Sequence, residues 1–498
     1  DKMKAGHIGE IYQTMPDGRR YIYALPAMNN LQREATFSVL EGTGDLSAGT
    51  APFSAANDKM KNEVNKKDDF FQMTLNPAHA YAYLLTSVLS PDYVDVTGDG
   101  PTEDDIGNYT RFNYTCPEAS YRWISPYSVD GSLANYHPGN LSDKNDDKAS
   151  YIVGSKELWY VSTIESKNQI AEFYISKRAD ARGTIAPVFR STDELDMAKV
   201  SDQTLKDPIS TEAGYSYKLD SIVVYVKNDR FTNGANAVPL KTVIFQYDYE
   251  LCPGVPNNFS EEGKLTLKKV YTKNGSSKIS LLNPYEFKYD GGNAGYSLAN
   301  KDRWGSFKPL EANPSSPSQL AIYDFPYTGQ DKAAADAYVS NWHLTEITLP
   351  SGGKLAIEYE SDDYSYVQDK RAMEMRMIAG VGNTAAFNPT DELYTEPTDI
   401  NTYVYIKRDK VRESGVLTLA QNYLDGDNLL YFSFRVDIGN KDKFEHIKGY
   451  AMVETIGVCP DNDDYLYVKI KGEKAGTNSS KIIHPISLAA LNYAKLSL

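Results

Sequence analysis

Five carboxylates crowd into residues 93–107, YVDVTGDGPTEDDIG: Asp95, Asp99, Glu103, Asp104 and Asp105. Counted from Asp95, the first, third, fifth and ninth places are Asp95, Thr97, Asp99 and Glu103. Gly100 falls at the sixth place and the Pro101 carbonyl at the seventh. Alternating side-chain oxygens around a turn-making glycine open a calcium loop of EF-hand type. The twelfth place is Ile106 rather than the bidentate glutamate of the full motif, and the flanks do not read as helices. The spacing is closer to calcium loops found between strands, with Asp104 or Asp105 as the remaining ligand. The expected cofactor is therefore a structural calcium ion, and the alternative is a solvated acidic turn that needs none. No histidine lies in the loop, which argues against a catalytic metal.

Other chemistry-bearing residues are dispersed. His7, His79, His137, His343, His446 and His484 form no H-E-x-x-H pair, and there is no G-x-S-x-G elbow, P-loop or G-x-G-x-x-G. Cys116, Cys252 and Cys459 make neither a disulfide framework nor a zinc site. Residues 142–148 (SDKNDDK) and 460–465 (PDNDDY) are acidic but lack the glycine, and read as solvated turns. Trp304 in DRWGSF reads as a buried anchor, with Asp302 and Arg303 serving backbone groups; sugar stacking is the alternative. No catalytic residue is assigned, although carboxylate pairs for glycoside hydrolysis are invisible to one-dimensional spacing.

Charge narrows the partners. The net charge of −15 and the absence of a basic stripe argue against nucleic acid and anionic membrane. No apolar run reaches the length of a spanning helix, so direct membrane insertion is not expected. The opening DKMKAGHIGE carries no signal-peptide pattern. The chain is expected to be a piece of a longer protein.

The elements that must position these residues read as strands. Tyrosine occurs 38 times against 17 Phe and 4 Trp, and suits half-buried sheet surfaces with its apolar ring and polar tip. GEIYQTMPDGRRYIYALP is a hairpin signal around Pro16-Asp17-Gly18. AHAYAYLLTSVL fits a helix or a strand. Residues 128–149 read as a polar loop. KELWYVSTIES and QIAEFYISK read as a strand pair around Lys167-Asn168, and strands follow one another from 215 to 290. LTEITLPSGGKLAIEYES reads as a hairpin. YSYVQDKRAMEMRMIAGV reads as one long strand from the alternation of Met373, Met375 and Met377 with Glu374 and Arg376. DKAAADAYV and PISLAALNYAKL read as short helices. The expected fold is mainly β: an extended antiparallel sheet, shell-like or of stacked β modules, with few short helices. Its expected regions are 1–200 with the acidic loop, a strand-rich 201–300, an irregular 301–340, and a β-rich 341–498 ending in a helix.

Several phrases occur in an order that resembles the large Rhs/YD-repeat-like secreted proteins of Bacteroidota. They are LDSIVVY, KTVIFQYDYEL, GKLTLKKVYTKNG, NPYEFKYD, DRWGSFKP and LTEITLPSGGKLAIEYESDDYSYV, preceded by DDKASYIVGSKELWYVSTIESKNQIAEFYIS. The pairs Tyr247-Asp248 and Tyr289-Asp290 sit at strand ends, as in YD repeats. The resemblance covers most of residues 1–370. It implies a non-enzymatic extracellular or cell-surface β scaffold, exported by type IX secretion. Its implied partners are other regions of its own longer chain and secretion or surface-assembly proteins. The repeats are irregular and lack the compact G-x-x-x-R-Y-x-Y-D-x-x-G-R pattern, so closure into a shell and a toxin payload do not follow. A glycan- or protein-binding adhesin is the alternative function, followed by a glycoside hydrolase.

Overall fold

The structure, a computed structural model, describes residues 6–39, 44–45, 48–52, 70–137, 148–186, 212–260, 262–275, 277, 283–302, 305–312, 332–362, 366–367, 370–371, 373, 375–396, 399–410, 413, 418–424, 428–437, 444–474 and 480–497. The fold is mainly β with few short helices. Two compact units divide the chain. The first comprises Asp1–His137, Asp147–Asn300 and Asp336–Glu360; the second comprises Pro138–Asp146, Lys301–Ala335 and Ser361–Leu498.

Among the described residues the first unit holds fifteen strands in one antiparallel sheet. They are β1 (Ile11–Thr14), β2 (Arg20–Ser38), β3 (Thr50–Pro52), β4 (Phe71–Asn76), β5 (His79–Leu89), β6 (Tyr109–Ser125), β7 (Leu133–His137), β8 (Lys148–Glu165), β9 (Gln169–Lys177), β10 (Tyr217–Val226), β11 (Lys241–Leu251), β12 (Lys264–Asn274), β13 (Tyr285–Tyr289), β14 (Leu344–Thr348) and β15 (Lys354–Ala356). The main path runs β1-β2-β5-β6-β8-β9-β10-β11-β12-β13-β14-β15. AHAYAYLLTSVL is thus a strand, and the polar stretch 128–149 contains β7.

The core of this unit forms where β2 branches. Its first half pairs with β1 and β5, and its second half with β4 and β8. In that second half the side chains alternate between buried and partly exposed, the period of a sheet with one packed face. Leu31, Ala35 and Phe37 pack there with Ile124, Tyr151 and Val153. Arg33 shares the buried face, with its guanidinium 5.2 Å from the centroid of the Tyr151 ring.

Along the rest of the path one hairpin pattern recurs. In each later hairpin the first strand carries an unpaired residue at a matching place where it meets the preceding strand, among other irregularities in β5, β8 and β12. Tyr23 faces Leu85 and Ile22 faces Ser87, leaving Thr86 extra. Tyr114 faces Val161, leaving Ser162 extra. Ile175 faces Leu219, leaving Asp220 extra. Tyr247 faces Leu267, leaving Lys268 extra, and Tyr289 faces Leu344, leaving Thr345 extra. A bulge interrupts the ladder and strands a carbonyl, which then needs another donor. A tyrosine on the second strand of the same hairpin, or in the last case just beyond it, supplies it. Tyr114 donates to the Leu85 carbonyl at 2.7 Å, Tyr247 to Leu219 at 2.9 Å, Tyr289 to Leu267 at 2.7 Å and Tyr359 to Leu344 at 2.8 Å. The β8–β9 hairpin has Ile175 at the tyrosine position. Burial raises the phenol pKa of Tyr114, Tyr247 and Tyr289 above the ordinary 10.0, which keeps each a proton donor. The aspartates of the two Tyr-Asp pairs each take a backbone amide two residues on, Asp248 within β11 and Asp290 in the turn after β13. Asp248 accepts from the Glu250 amide at 3.2 Å and Asp290 from the Gly292 amide at 3.2 Å.

The second unit contains small hairpins and a five-stranded sheet. β16 (Tyr366–Val367) pairs β17 (Lys370–Arg371), and β19 (Tyr394–Glu396) pairs β20 (Asp399–Ile400). The sheet runs β18-β21-β24-β23-β22, from β18 (Ile378–Gly382), β21 (Tyr403–Lys407), β22 (Leu429–Asp437), β23 (Phe444–Cys459) and β24 (Asn462–Ile470). β25 (Glu473–Lys474) pairs β26 (Ile482–Ile483). The stretch expected as one long strand is therefore the β16–β17 hairpin and β18. Its ladder bonds are made locally and with β21, and exposed Met377 and Ile378 show that no packed face sustains the alternation. Val381, Val404, Ala451, Val468 and Ile470 form the core. The Tyr405 side chain is fully buried, and its hydroxyl lies 2.8 Å from the carbonyls of Thr384 and Ala386, with its one proton available to either.

The closing helix, Pro485–Ser497, begins as sequence chemistry requires. Proline fits its first position because the missing N–H has no partner there anyway. His484 precedes it, buried, and its Nδ1 accepts from the Ile486 amide at 3.2 Å. Nε2–H donates to the Asn401 carbonyl at 3.1 Å. The neutral imidazole is thus used at both nitrogens, and burial lowers its pKa below the ordinary 6.5.

Two predictions follow from these contacts. Tyr289→Phe strands the Leu267 carbonyl and should cost about 1–2 kcal/mol in urea unfolding. Tyr271→Phe, which loses only an exposed bond to Gln246, should change stability by a few tenths at most; equal costs would refute the pinning role. For His484, the unfolded chain binds a proton below pH about 6.5 while the folded imidazole resists it. The second unit should therefore lose stability as pH falls below that value, down to the lowered folded pKa. His484→Asn should flatten that slope in melts between pH 7 and pH 5.

Candidate functional site

The acidic loop joins β5 to β6 and is closed at its base by an isolated bridge between Val94 and Ile106. Gly107 makes this closure sterically possible. Its φ is +80°, and a Cβ there would lie 2.7 Å from the Tyr93 backbone. Inside the loop the carboxylates divide into two groups.

Asp105 is buried. It accepts from the Thr102 amide at 2.8 Å, the Tyr93 hydroxyl at 2.7 Å and the Val96 amide at 3.0 Å. The Thr102 amide, and then the Tyr93 hydroxyl, hold its pKa below the ordinary carboxylate value. Asp95 lies outside but is engaged as well, taking the Gly98 amide at 2.6 Å and the Gly100 amide at 3.0 Å. Asp99, Glu103 and Asp104 are exposed at the rim. Thr97 donates to Asp99 at 2.6 Å, and Thr102 to Asp104 at 2.5 Å.

Three cations dock the loop on the sheet. Lys167 donates to the Asp105 carbonyl at 2.5 Å, and Arg111 to the Pro101 carbonyl at 3.3 Å. Lys227 stands 3.2 Å from Glu103 and 3.2 Å from Glu165, with the Tyr109 hydroxyl at 3.3 Å. Burial alone would lower the Lys227 pKa; the bonds to Tyr109, Glu103 and Glu165 outweigh it and raise the value. Glu165, also buried, takes Arg111 at 3.0 Å and Asn113 at 2.7 Å. Sequence spacing could not have revealed Arg111, Glu165, Lys167 or Lys227, which come from β6, the end of β8, the turn after it and the helix Lys227–Asn233.

The expected ligand residues are therefore in one loop, but among the described residues no three His, Cys, Asp or Glu side chains are gathered to hold a metal ion. Asp95 takes amides through both oxygens and keeps further lone pairs. The Pro101 carbonyl and Glu103 face cations. Among the described residues the histidines form no metal-ligating group: His79 and His343 bond neighbouring carbonyls, and His484 caps a helix. Cys252 and Cys459 are buried free thiols, and Cys116 donates to the Glu118 carbonyl at 3.4 Å. Arg303 and Trp304 lie outside the described residues, as does most of 142–148. Asp302 does serve backbone, accepting the Ser306 amide at 2.9 Å. In 460–465, Asp463 and Asp464 pair with Lys410 at 3.0 and 2.9 Å. Among the described residues no helix is long and apolar enough to cross a membrane. Compared with protein-family models and with curated proteins, the chain matches none.

The buried acceptor, rather than the exposed rim, should hold the loop. Asp105→Ala should open residues 94–106 to limited proteolysis several-fold faster than the parent, whereas Asp104→Ala should leave the rate unchanged. Equal rates for the two variants would contradict this division.

Proposed function

We propose that this chain is a non-enzymatic scaffold module of a large secreted or cell-surface protein of the Rhs/YD-repeat kind from Bacteroidota, exported by type IX secretion. The observation that supports the reading is the recurrent hairpin with its bulge and tyrosine pin. Two pinning tyrosines, Tyr247 and Tyr289, belong to the Tyr-Asp pairs. The pattern commits these tyrosine hydroxyls to the sheet's own backbone, a use that reinforces the sheet. Its partners are other regions of the longer chain and the proteins that assemble it at the surface. An adhesin would instead present a continuous aromatic patch of several hundred Å². A glycoside hydrolase would set two carboxylates about 5–10 Å apart in a groove.

Calcium is part of the proposal as a structural ion. The contact from the Gly100 amide to Asp95 joins the sixth and first places of the loop, as a turn around an ion requires. Binding would draw Asp99 and Glu103 inward to join Asp95, Thr97 and the Pro101 carbonyl, with Asp104 or Asp105 completing the set. The role is to pin the loop, with no chemistry routed through it.

Immunolabelling of intact native cells tests the location: surface or medium labelling is expected, and retention inside the cell would sink the scaffold reading. In the same preparation, calcium should raise the melting midpoint and a chelator lower it. An unchanged midpoint removes calcium while leaving the scaffold standing.

A further inference from the structure

Among the described residues the long sheet ends at β1 on one side of the path and at β15 on the other, and neither strand has a second partner there. Both strands are exposed along their lengths. Tyr12 is 60% and Leu355 51% exposed. Open edges of this kind are templates for another strand.

The edges are not equivalent. At every internal junction between hairpins, the second strand of one pairs with the first strand of the next. The tyrosine, or Ile175, then faces the residue just before the bulge. β15 is the second strand of the last hairpin, and Tyr359 beyond it is that hairpin's pinning tyrosine. β1 is the first strand of the first hairpin. Within each pinned hairpin the tyrosine reaches the carbonyl one residue past the position directly opposite. Tyr23 lies opposite Ile11, so the equivalent residue in β1 is Tyr12. Tyr12-Gln13-Thr14-Met15 then corresponds to Leu267-Lys268-Lys269-Val270 and Leu344-Thr345-Glu346-Ile347: apolar, bulge, polar, apolar. One edge is the donor half of a junction and the other is its acceptor half.

Hydrogen-bond phase gives an independent check. Antiparallel ladders alternate between residues that bond one neighbour and residues that face the other. The Met15 amide bonds the Arg19 carbonyl, so Gln13 and Ile11 also bond β2, and the backbone groups of Tyr12 and Thr14 face outward. The Ile357 amide bonds the Thr345 carbonyl, so Ala356 and Glu358 face outward on the other edge. The junction rule sets Glu358 opposite Thr14, as Lys288 faces Glu346 and Gln246 faces Lys269. Both residues have outward backbone groups, so the register that the side-chain pattern selects is also the one in which hydrogen bonds can form.

We propose that the protein associates with a second copy of itself head to tail, β15 of one copy adding to β1 of the next. Tyr359 would face Tyr12, Glu358 would face Thr14, and Gln13 would take the bulge. This is strand addition through a heterologous interface, which repeats from copy to copy.

Sedimentation velocity of the full chain over a concentration series tests it. The parent should associate as concentration rises. Thr14→Pro and Glu358→Pro each remove one outward N–H without touching the bonds inside the hairpin, and each alone should be monomeric. An equimolar mixture of the two should form a dimer and nothing larger, because each keeps the one edge the other lacks. A parent that stays monomeric at all concentrations overturns the proposal, since its edges would then await some other strand. So does a single variant that still associates, or a mixture that stays monomeric. Circular dichroism checks that the variants fold. Tyr12→Lys and Leu355→Lys, which keep the backbone intact, should repeat the pattern.

Discussion

A carbonyl stranded at a β-bulge in a half-buried sheet costs about 1–3 kcal/mol if nothing donates to it. The long sheet of the first unit meets that cost four times with the same group, a tyrosine hydroxyl from the second strand of the same hairpin or, for Tyr359, from just beyond it. The bulge gives each junction added twist, and the phenol lets the junction have it without an unmet acceptor. The tyrosine ring covers the strand while its oxygen serves the backbone, so one residue does the work of packing and pairing. That double use is open to tyrosine and closed to phenylalanine, which has no hydroxyl.

The acidic loop applies the same logic to charge. Its most acidic stretch is not a free anionic surface. Asp105 organises the loop from within, and Arg111, Lys167 and Lys227 hold it from the sheet. Lys227 and Glu165 are both buried and 3.2 Å apart, and each has a second partner, Glu103 for the lysine and Arg111 for the carboxylate, so the charges are balanced as a network rather than as one pair. The loop is therefore a structural part of the β5–β6 connection, whether or not an ion joins it.

Much of the fold was legible in the sequence because it is written in short-range signals. The Pro16-Asp17-Gly18 turn, the hairpin across Pro350–Gly353 and the helix behind Pro485 each lie within one local pattern. The calcium-like spacing was equally visible, but spacing alone does not say which way a carboxylate faces. Asp105 turns inward to Tyr93 while Asp104 stays outside, and adjacent aspartates cannot be told apart without the fold. The cation cluster was invisible because Lys227 lies far along the chain from Glu103 and Tyr109. The methionine alternation misled because period 2 promises a strand only where a partner and a packed face exist, and exposed Met377 and Ile378 have no such face.

The central claim is that tyrosine pins hold the junctions of the sheet one by one. Hydrogen–deuterium exchange of the parent and of Tyr247→Phe measures it residue by residue. Faster exchange confined to β10, β11 and the neighbouring strands, with β2 to β6 unchanged, is the predicted result. Unchanged exchange around Leu219, or a uniform rise through the whole sheet, would contradict it.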